Sequence, residues 1–366
     1  MVALAPDDRF TLFVDATAAV DCRIDSPNVR LEVVPVGRSP TEAASANGSR
    51  SVADLLRLTR AVARLGPDVF FSPSVYSYFP LPPGQRAVVA IHDVIAERYP
   101  HLTLPTPRSR VFWRIKVALA VRQARLILTV SDYSAGEIRR VLGVPPARIR
   151  VAVEAPSSVY RPSERDDEIV AAARRVGLPD WASWFTYVGG FNPHKRVDEL
   201  VRAHSELVRH HPDDAPYLLL IGDPASDSFF QNLRAIQKAI SESGTEDRVL
   251  WTGFLPDDEL RHLHSGAVAL LLSSECEGFG LPAVEAAACS TPVIATTESP
   301  LPQLLRGGGF FVRPGDHELL VRAMKTLWRD GPLRRRMGAR ALERAGRLSW
   351  ERGAGAALEA LREAAA

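Results

Sequence analysis

Short runs of β-branched, aromatic and leucine residues alternate along this chain with longer stretches whose apolar positions recur every three to four residues. This is how a parallel sheet covered by helices reads in sequence. A first series of strands is predicted at 10–14, 31–35, 69–72, 87–91 and 126–130, and a second at 185–188, 217–221, 249–252, 267–272, 293–295 and 309–312. Between the series, 155–180 carries Pro156, Pro162 and Pro179 with a charge-rich 164–167, the pattern of a linker followed by a helix. The reading gives an α/β protein of two Rossmann-like doubly wound domains, at 1–160 and 161–348. The closing segment 349–366 is a helix with Ser349 at its start, a candidate to return to the first domain.

Composition narrows the class without naming it. At 366 residues the chain exceeds one ordinary core, and 46% hydrophobic with 24% charged residues is a globular balance. A formal charge of +2 gives no bulk attraction for nucleic acid, so no nucleic-acid partner is expected. Cys22, Cys276 and Cys289 form no CxxC pair and no even-numbered framework, which argues against a disulfide scaffold or a zinc site. Apolar stretches such as 267–272 fall far short of the roughly 20 residues that span a bilayer, and the N-terminus has no charged-then-apolar leader pattern. A cytoplasmic location is expected.

Two segments carry the candidate chemistry. In Glu277-Gly-Phe-Gly-Leu-Pro-Ala-Val-Glu285 a predicted strand is followed by a glycine loop and a helix with Pro282 in its first turn. In an open parallel sheet the crevice beyond the strand C-termini binds ligands, and a helix N-terminus there offers N–H groups and a positive dipole end to phosphate. Gly278 and Gly280 let the backbone approach, with Phe279 and Leu281 beside them, and Glu277 and Glu285 can accept from hydroxyls of different parts of one ligand. By spacing alone the two acids are equally well read as solvated residues at a helix start.

The second segment is Tyr187-Val-Gly189-Gly190-Phe-Asn-Pro-His-Lys195-Arg196, again a strand end, a glycine turn and a helix from about 196. Lys195 is a compact cation at the mouth of the crevice, suited to a departing diphosphate. Alone it reads as a tight turn with exposed cations. Two such turns in one sheet, one bringing a lysine and the other two glutamates, describe a nucleotide-sugar cradle.

With Ile91-His-Asp-Val94 and Thr129-Val-Ser-Asp-Tyr-Ser134 in the first half, these segments resemble glycosyltransferase family 4, retaining GT-B enzymes with a Glu-x7-Glu signature. The likeness covers nearly the whole chain. It implies a deep cleft between the domains and transfer of a hexose-type sugar from a nucleoside diphosphate sugar to a hydroxyl of a glycan or lipid-linked acceptor. It further implies Glu277 at hydroxyls of the transferred sugar, Glu285 at the ribose, Lys195 at the diphosphate and His92 beside the reacting sugar. Cell-surface polysaccharide or glycoconjugate synthesis is the implied setting. Two positions depart from the family pattern: Gly190 stands where an arginine is common, with Arg196 a candidate to supply the charge, and Glu154-Ala155 stands where Asn-Gly is usual.

A third departure is at the start. Family members begin with an apolar strand, a glycine-rich loop and a helix, whereas residues 1–6 resemble only the tail of that helix, so a preceding strand and loop are expected upstream. No cofactor is expected and no metal is needed, since Lys195, Arg196 and the amides of 278–281 already face the diphosphate. His210, His211, His262 and His264 are read as solvated helix residues. In 108–126, six cations (Arg108, Arg110, Arg114, Lys116, Arg122 and Arg125) and no acid interleave with Phe112, Trp113 and Ile115. That stretch is a candidate for peripheral contact with the inner face of the membrane, although its cations are spread around the helix. Other functions open at this point are a nucleotide-sugar-binding pseudoenzyme or regulatory protein, and a GT-B nucleotide-sugar epimerase. No G-x-G-x-x-G opens a helix with an acid about 20 positions on, which disfavours a dinucleotide oxidoreductase.

Overall fold

The computed structural model describes residues 1–22, 24–37, 51–223 and 231–366. It divides into two compact units, residues 1–153 with 350–366, and residues 154–349.

In the first unit, β1 (Phe10–Val14) and β2 (Val29–Val33) form a parallel pair, while β3 (Phe70–Ser72), β4 (Ala87–Ala90), β5 (Leu126–Thr129) and β6 (Ile149–Val151) form a parallel sheet in that order. The central strands β4 and β5 are buried along their length, as expected for a strand covered on both faces. Strand β6 lay outside the predicted series: it is three residues long, only partly buried, and has Arg150 at its centre. Among the described strands β1 bonds only β2, and β3 only β4. Side chains link the two sheets instead, with the rings of Phe13 and Phe70 at 6.0 Å.

The helix Trp350–Ala365, which starts directly after Ser349, packs on β4, β5 and β6. Its Ala357, Ala360, Leu361 and Ala364 share an apolar cluster with Val88, Ala90, Leu126 and Leu128. The small residues keep the helix close to the sheet, and Arg150 pairs with Glu363 at the rim. Nearly two hundred residues of intervening chain thus separate two parts of one core.

The second unit holds six parallel strands in the order β12-β11-β10-β7-β8-β9. These are β7 (Trp184–Val188), β8 (Tyr217–Ile221), β9 (Val249–Gly253), β10 (Ala269–Leu272), β11 (Val293–Thr296) and β12 (Gly309–Val312). Phe185, Tyr187, Leu218, Leu220 and Leu271 are essentially inaccessible to solvent, and each contributes about 2 kcal/mol by burial. Winding runs outward in one direction from β7 through β8 and β9, and in the other from β10 through β11 and β12. The order therefore reverses between β7 and β10, which pair directly, Ala269 against Phe185. Helices to either side of such a reversal diverge and leave a crevice beyond the strand C-termini.

Candidate functional site

Both glycine turns open at that reversal. After β7 the chain passes Gly189, at φ +145°, then Gly190, whose carbonyl accepts from the Tyr187 hydroxyl, and makes a short turn at Pro193–Lys195 before the helix Val197–His210. After β10 it passes Ser274 and Glu277 and reaches Gly280, the residue before the helix Leu281–Ala288. Gly280 has φ +87°, and a Cβ there would meet the Leu301 side chain at 2.8 Å, so the approach to this helix tolerates only glycine. Gly278 and Phe279 are buried in the same loop, and Pro282 lies in the first helical turn, where its missing N–H costs nothing.

The two turns meet at Lys195 and Glu277. Lys195 Nζ donates to Glu277 Oε1 at 2.7 Å, with side-chain exposures of 20% and 9%. The same oxygen accepts from the buried Ser274 hydroxyl, and the Glu277 amide donates to the Glu298 carbonyl at 2.9 Å. Burial pushes the Glu277 carboxyl up, but the Lys195 charge and the Lys195 and Ser274 hydrogen bonds outweigh it and hold the group below its ordinary value. His194, next in the chain to the lysine, is lowered to about 4 by burial and by the Lys195 charge, so it is neutral at physiological pH. The site is a buried anion held by one cation, not a free charge. Removing one partner of such a pair costs about 3–5 kcal/mol.

Arg196 is placed differently. At φ +53° it turns its guanidinium onto Glu199, Nε to Oε2 at 2.9 Å, and onto Glu275. Among the sequence-identified residues, Lys195 comes to Glu277 and Arg196 is taken up by two other glutamates of the same turns. Burial lowers the Arg196 guanidinium affinity for its proton, but both carboxylates outweigh it and raise it.

Glu285 stands one turn into its helix and faces another group of acids. Burial, then Asp257 and Glu154, push its carboxyl up to about 8. Asp257 accepts from the Tyr160 hydroxyl at 2.8 Å. Glu277 and Glu285 thus have opposite surroundings, one beside a lysine and one beside carboxylates. His92 lies just past β4 in the first unit and is exposed.

Sequence reasoning missed Ser274, Glu275 and the acids around Glu285. Ser274 and Glu275 sit within three residues of Glu277, which was signal enough to ask what they touch; Asp257 is distant in sequence and only folding brings it near. The reading of the histidines needs correction. His264 is fully buried and lowered to about 3 by burial, with Nδ1 3.3 Å from the Thr186 hydroxyl, and His262 bonds Ser163 at 2.7 Å. The place of His264 four residues after Leu260, on the inward stripe of Asp257–Gly266, explains its burial. Among the described residues no group of three His, Cys, Asp or Glu could hold a metal ion, and no helix is long and apolar enough to cross a membrane.

Residues 9–152 match the model of Glycosyltransferase Family 4, and residues 173–344 that of Glycosyl transferases group 1. O-antigen chain mannosyltransferase B of Escherichia coli is 30% identical over 269 residues, 73% of this chain and 68% of that protein. D-inositol 3-phosphate glycosyltransferase of Nocardia farcinica (strain IFM 10152) is 35% identical over 202 residues, 55% of this chain and 44% of that protein. This chain spans about half the length of the relatives of that second name. Among solved structures, sucrose-phosphate synthase from Thermosynechococcus elongatus aligns with a TM-score of 0.74 at 20% identity, covering 99% of this chain and 90% of its own. Anabaena HepE in complex with UDP and glucose aligns with a TM-score of 0.69 at 19% identity, covering 92% and 86%. The fold of both units is that of the GT-B class. With one family model on each unit and a relative matched over two thirds of its length, the chain is a glycosyltransferase and belongs to glycosyltransferase family 4.

Proposed function

We propose that this enzyme moves a hexose-type sugar from a nucleoside diphosphate sugar to a hydroxyl of a glycan or lipid-linked saccharide, with retention of anomeric configuration, in the synthesis of a cell-surface polysaccharide or glycoconjugate. The observation that carries this reading is the contact of Lys195 with Glu277 at the reversal of strand order, beside the N-terminus of Leu281–Ala288. In this reading the donor diphosphate lies against the backbone of Gly278, Phe279, Gly280 and Leu281, at the N-terminus of Leu281–Ala288 where the helix dipole has its positive end. Lys195 turns from Glu277 to the phosphates and leaves that carboxylate to the hydroxyls of the transferred sugar. Glu285 takes the ribose hydroxyls. Gly189 and Gly190 give the donor close access to the backbone, and Arg196 keeps the lysine turn in place through Glu199 and Glu275.

The bond from the anomeric carbon to phosphate breaks and its electron pair leaves with the nucleoside diphosphate. The acceptor hydroxyl forms the new bond on the same face, and its proton passes to the departing phosphate. The turn backbone, with Lys195 once it has turned, meets the charge that grows there and supplies what a divalent cation otherwise would. His92 orients the reacting sugar. The names of the relatives, an O-antigen chain mannosyltransferase and D-inositol 3-phosphate glycosyltransferases, favour a hexosyl and mannosyl-like donor, and HepE with UDP and glucose is a precedent for a nucleotide with its sugar.

The test is a panel of nucleoside diphosphate sugars, read for binding and then for transfer to a lipid-linked saccharide. Binding of one donor, with transfer abolished in Lys195→Ala and Glu285→Ala, supports the proposal. Binding without transfer would mark a nucleotide-sugar-binding protein, and conversion of the donor without acceptor would mark an epimerase; either defeats it.

A further inference from the structure

The helix Pro107–Gln123 begins with a capping box, Thr106 and Ser109 each accepting from the other's backbone, and with Pro107 in its first turn. One face is fixed in the core of the first unit: Trp113, Val117 and Ala120 are buried, and Trp113 Nε1 donates to Glu97 at 2.8 Å. The opposite face is uncovered. Val111, Phe112 and Ile115 are exposed by 56%, 47% and 62%.

The six cations of the segment divide into two sets. Arg110 donates to the Leu104 carbonyl at 3.0 Å, Lys116 to the Tyr76 carbonyl, and Arg125 to the Ala364 carbonyl at 3.2 Å, so these three hold the fold together. Arg108, Arg114 and Arg122 are exposed and make no hydrogen bond or ion pair with any described residue. At 100° per residue, these three arginines and the three exposed apolar residues fall within about 160° of arc. The spread of charge in the sequence resolves once the cations with structural tasks are set aside. No Asp or Glu occurs between Arg98 and Ser131.

We propose that this face docks on a bilayer surface bearing anionic phospholipid headgroups, with Val111, Phe112 and Ile115 entering the boundary between headgroups and acyl chains, and Arg108, Arg114 and Arg122 meeting the phosphates. A stripe of cations without acids complements an anionic plane. It opposes a second copy of itself, since a two-fold contact would set arginine against arginine, and three side chains on one helix fall well below the roughly 800 Å² per partner of a stable protein interface. The proposal rests on this helix alone and is independent of the donor chemistry at Lys195.

Flotation of the full chain with vesicles tests it. Binding is expected to vesicles of phosphatidylcholine mixed with phosphatidylglycerol and not to phosphatidylcholine alone, and to be released at about 0.5 M salt as screening takes hold. Phe112→Ser combined with Ile115→Ser should abolish flotation. Arg108→Gln, Arg114→Gln and Arg122→Gln should each weaken partition about fivefold, the factor for about 1 kcal/mol per cation. Thermal unfolding of every variant should match the wild type, because the altered side chains are exposed. Absence of flotation on anionic vesicles, unchanged flotation of the double serine variant, or self-association in sedimentation that the double variant dissolves would each overturn the proposal.

Discussion

The second unit gathers its chemistry where strand order reverses, and the first leaves its one candidate, His92, in solvent past the end of β4. In the second unit two loops are forced together because β7 and β10 are neighbours, and the meeting encloses a charged pair with the support of Ser274. The backbone of such a site is set before any ligand arrives, and the desolvation of its charges is offset by the folding of the whole unit. The exposed imidazole has no comparable frame. The contrast teaches that the candidate residues of the second unit double as structural residues, whereas the exposed His92 is free of structural duty.

The sharpest attack on that contrast is Lys195→Ala. It should lower transfer by about 10²–10³-fold and destabilise the second unit by about 3–5 kcal/mol, since Glu277 loses the cation that offsets its burial. Adding Glu277→Gln should restore much of the stability in chemical denaturation while transfer stays lost. Full stability in the single variant would break the comparison.

Glu285 offers the next effect, and it depends on pH. Its carboxyl is pushed from the ordinary 4.5 up to about 8 by burial, with Asp257 and Glu154 adding to it. The folded unit therefore holds a proton that the unfolded chain has released, and stability falls as pH rises from about 4.5 to about 8. In Glu285→Gln that contribution vanishes, so the melting temperature of the variant should gain on the wild type across this window. Donor affinity should rise with pH over the same range in the wild type, as the carboxylate forms, and stay flat in the variant. Calorimetry at four or five pH values reads both.

Ser274→Ala removes one of the two side-chain donors to Glu277 Oε1. A hydrogen bond to a charged group is worth about 1.5–3 kcal/mol, so a loss of roughly tenfold or more in kcat/KM is expected, smaller than that of Lys195→Ala. The least effect belongs to His92→Ala. Stability should stay within about 0.5 kcal/mol, and kcat should fall about tenfold, short of the roughly 10²-fold or greater loss expected of a general base. A larger fall, with a shifted pH profile, would make His92 a proton carrier and give the first unit a preorganised centre after all.

Most strands were legible because buried parallel strands are short, continuous and apolar: β1, β8 and β12 fall where the pattern set them. β2 begins and ends two residues earlier than predicted, since its pairing with β1 ends at Val33, short of Pro35, which has no N–H to extend a ladder. β6 was missed, being brief and partly exposed. The glycines and Lys195 of the candidate site were legible from the strand-loop-helix order. The engagement of Arg196 by Glu199 and Glu275 was not, because a guanidinium beside a phosphate site and one in an ion pair look alike in sequence.

Sequence by itself determined the α/β architecture of two parallel-stranded domains and the two glycine turns, since strand burial and left-handed turn positions are local demands on residue type. Tertiary structure alone decided which charges are spent: Lys195 on Glu277, Arg196 on its two glutamates, three of the six cations of 107–125 on backbone carbonyls. It also raised Glu285, first by burying it and then by bringing Asp257 and Glu154 to it. Electrostatic partners are matters of distance in space, and a parallel sheet makes neighbours of residues that the chain holds far apart.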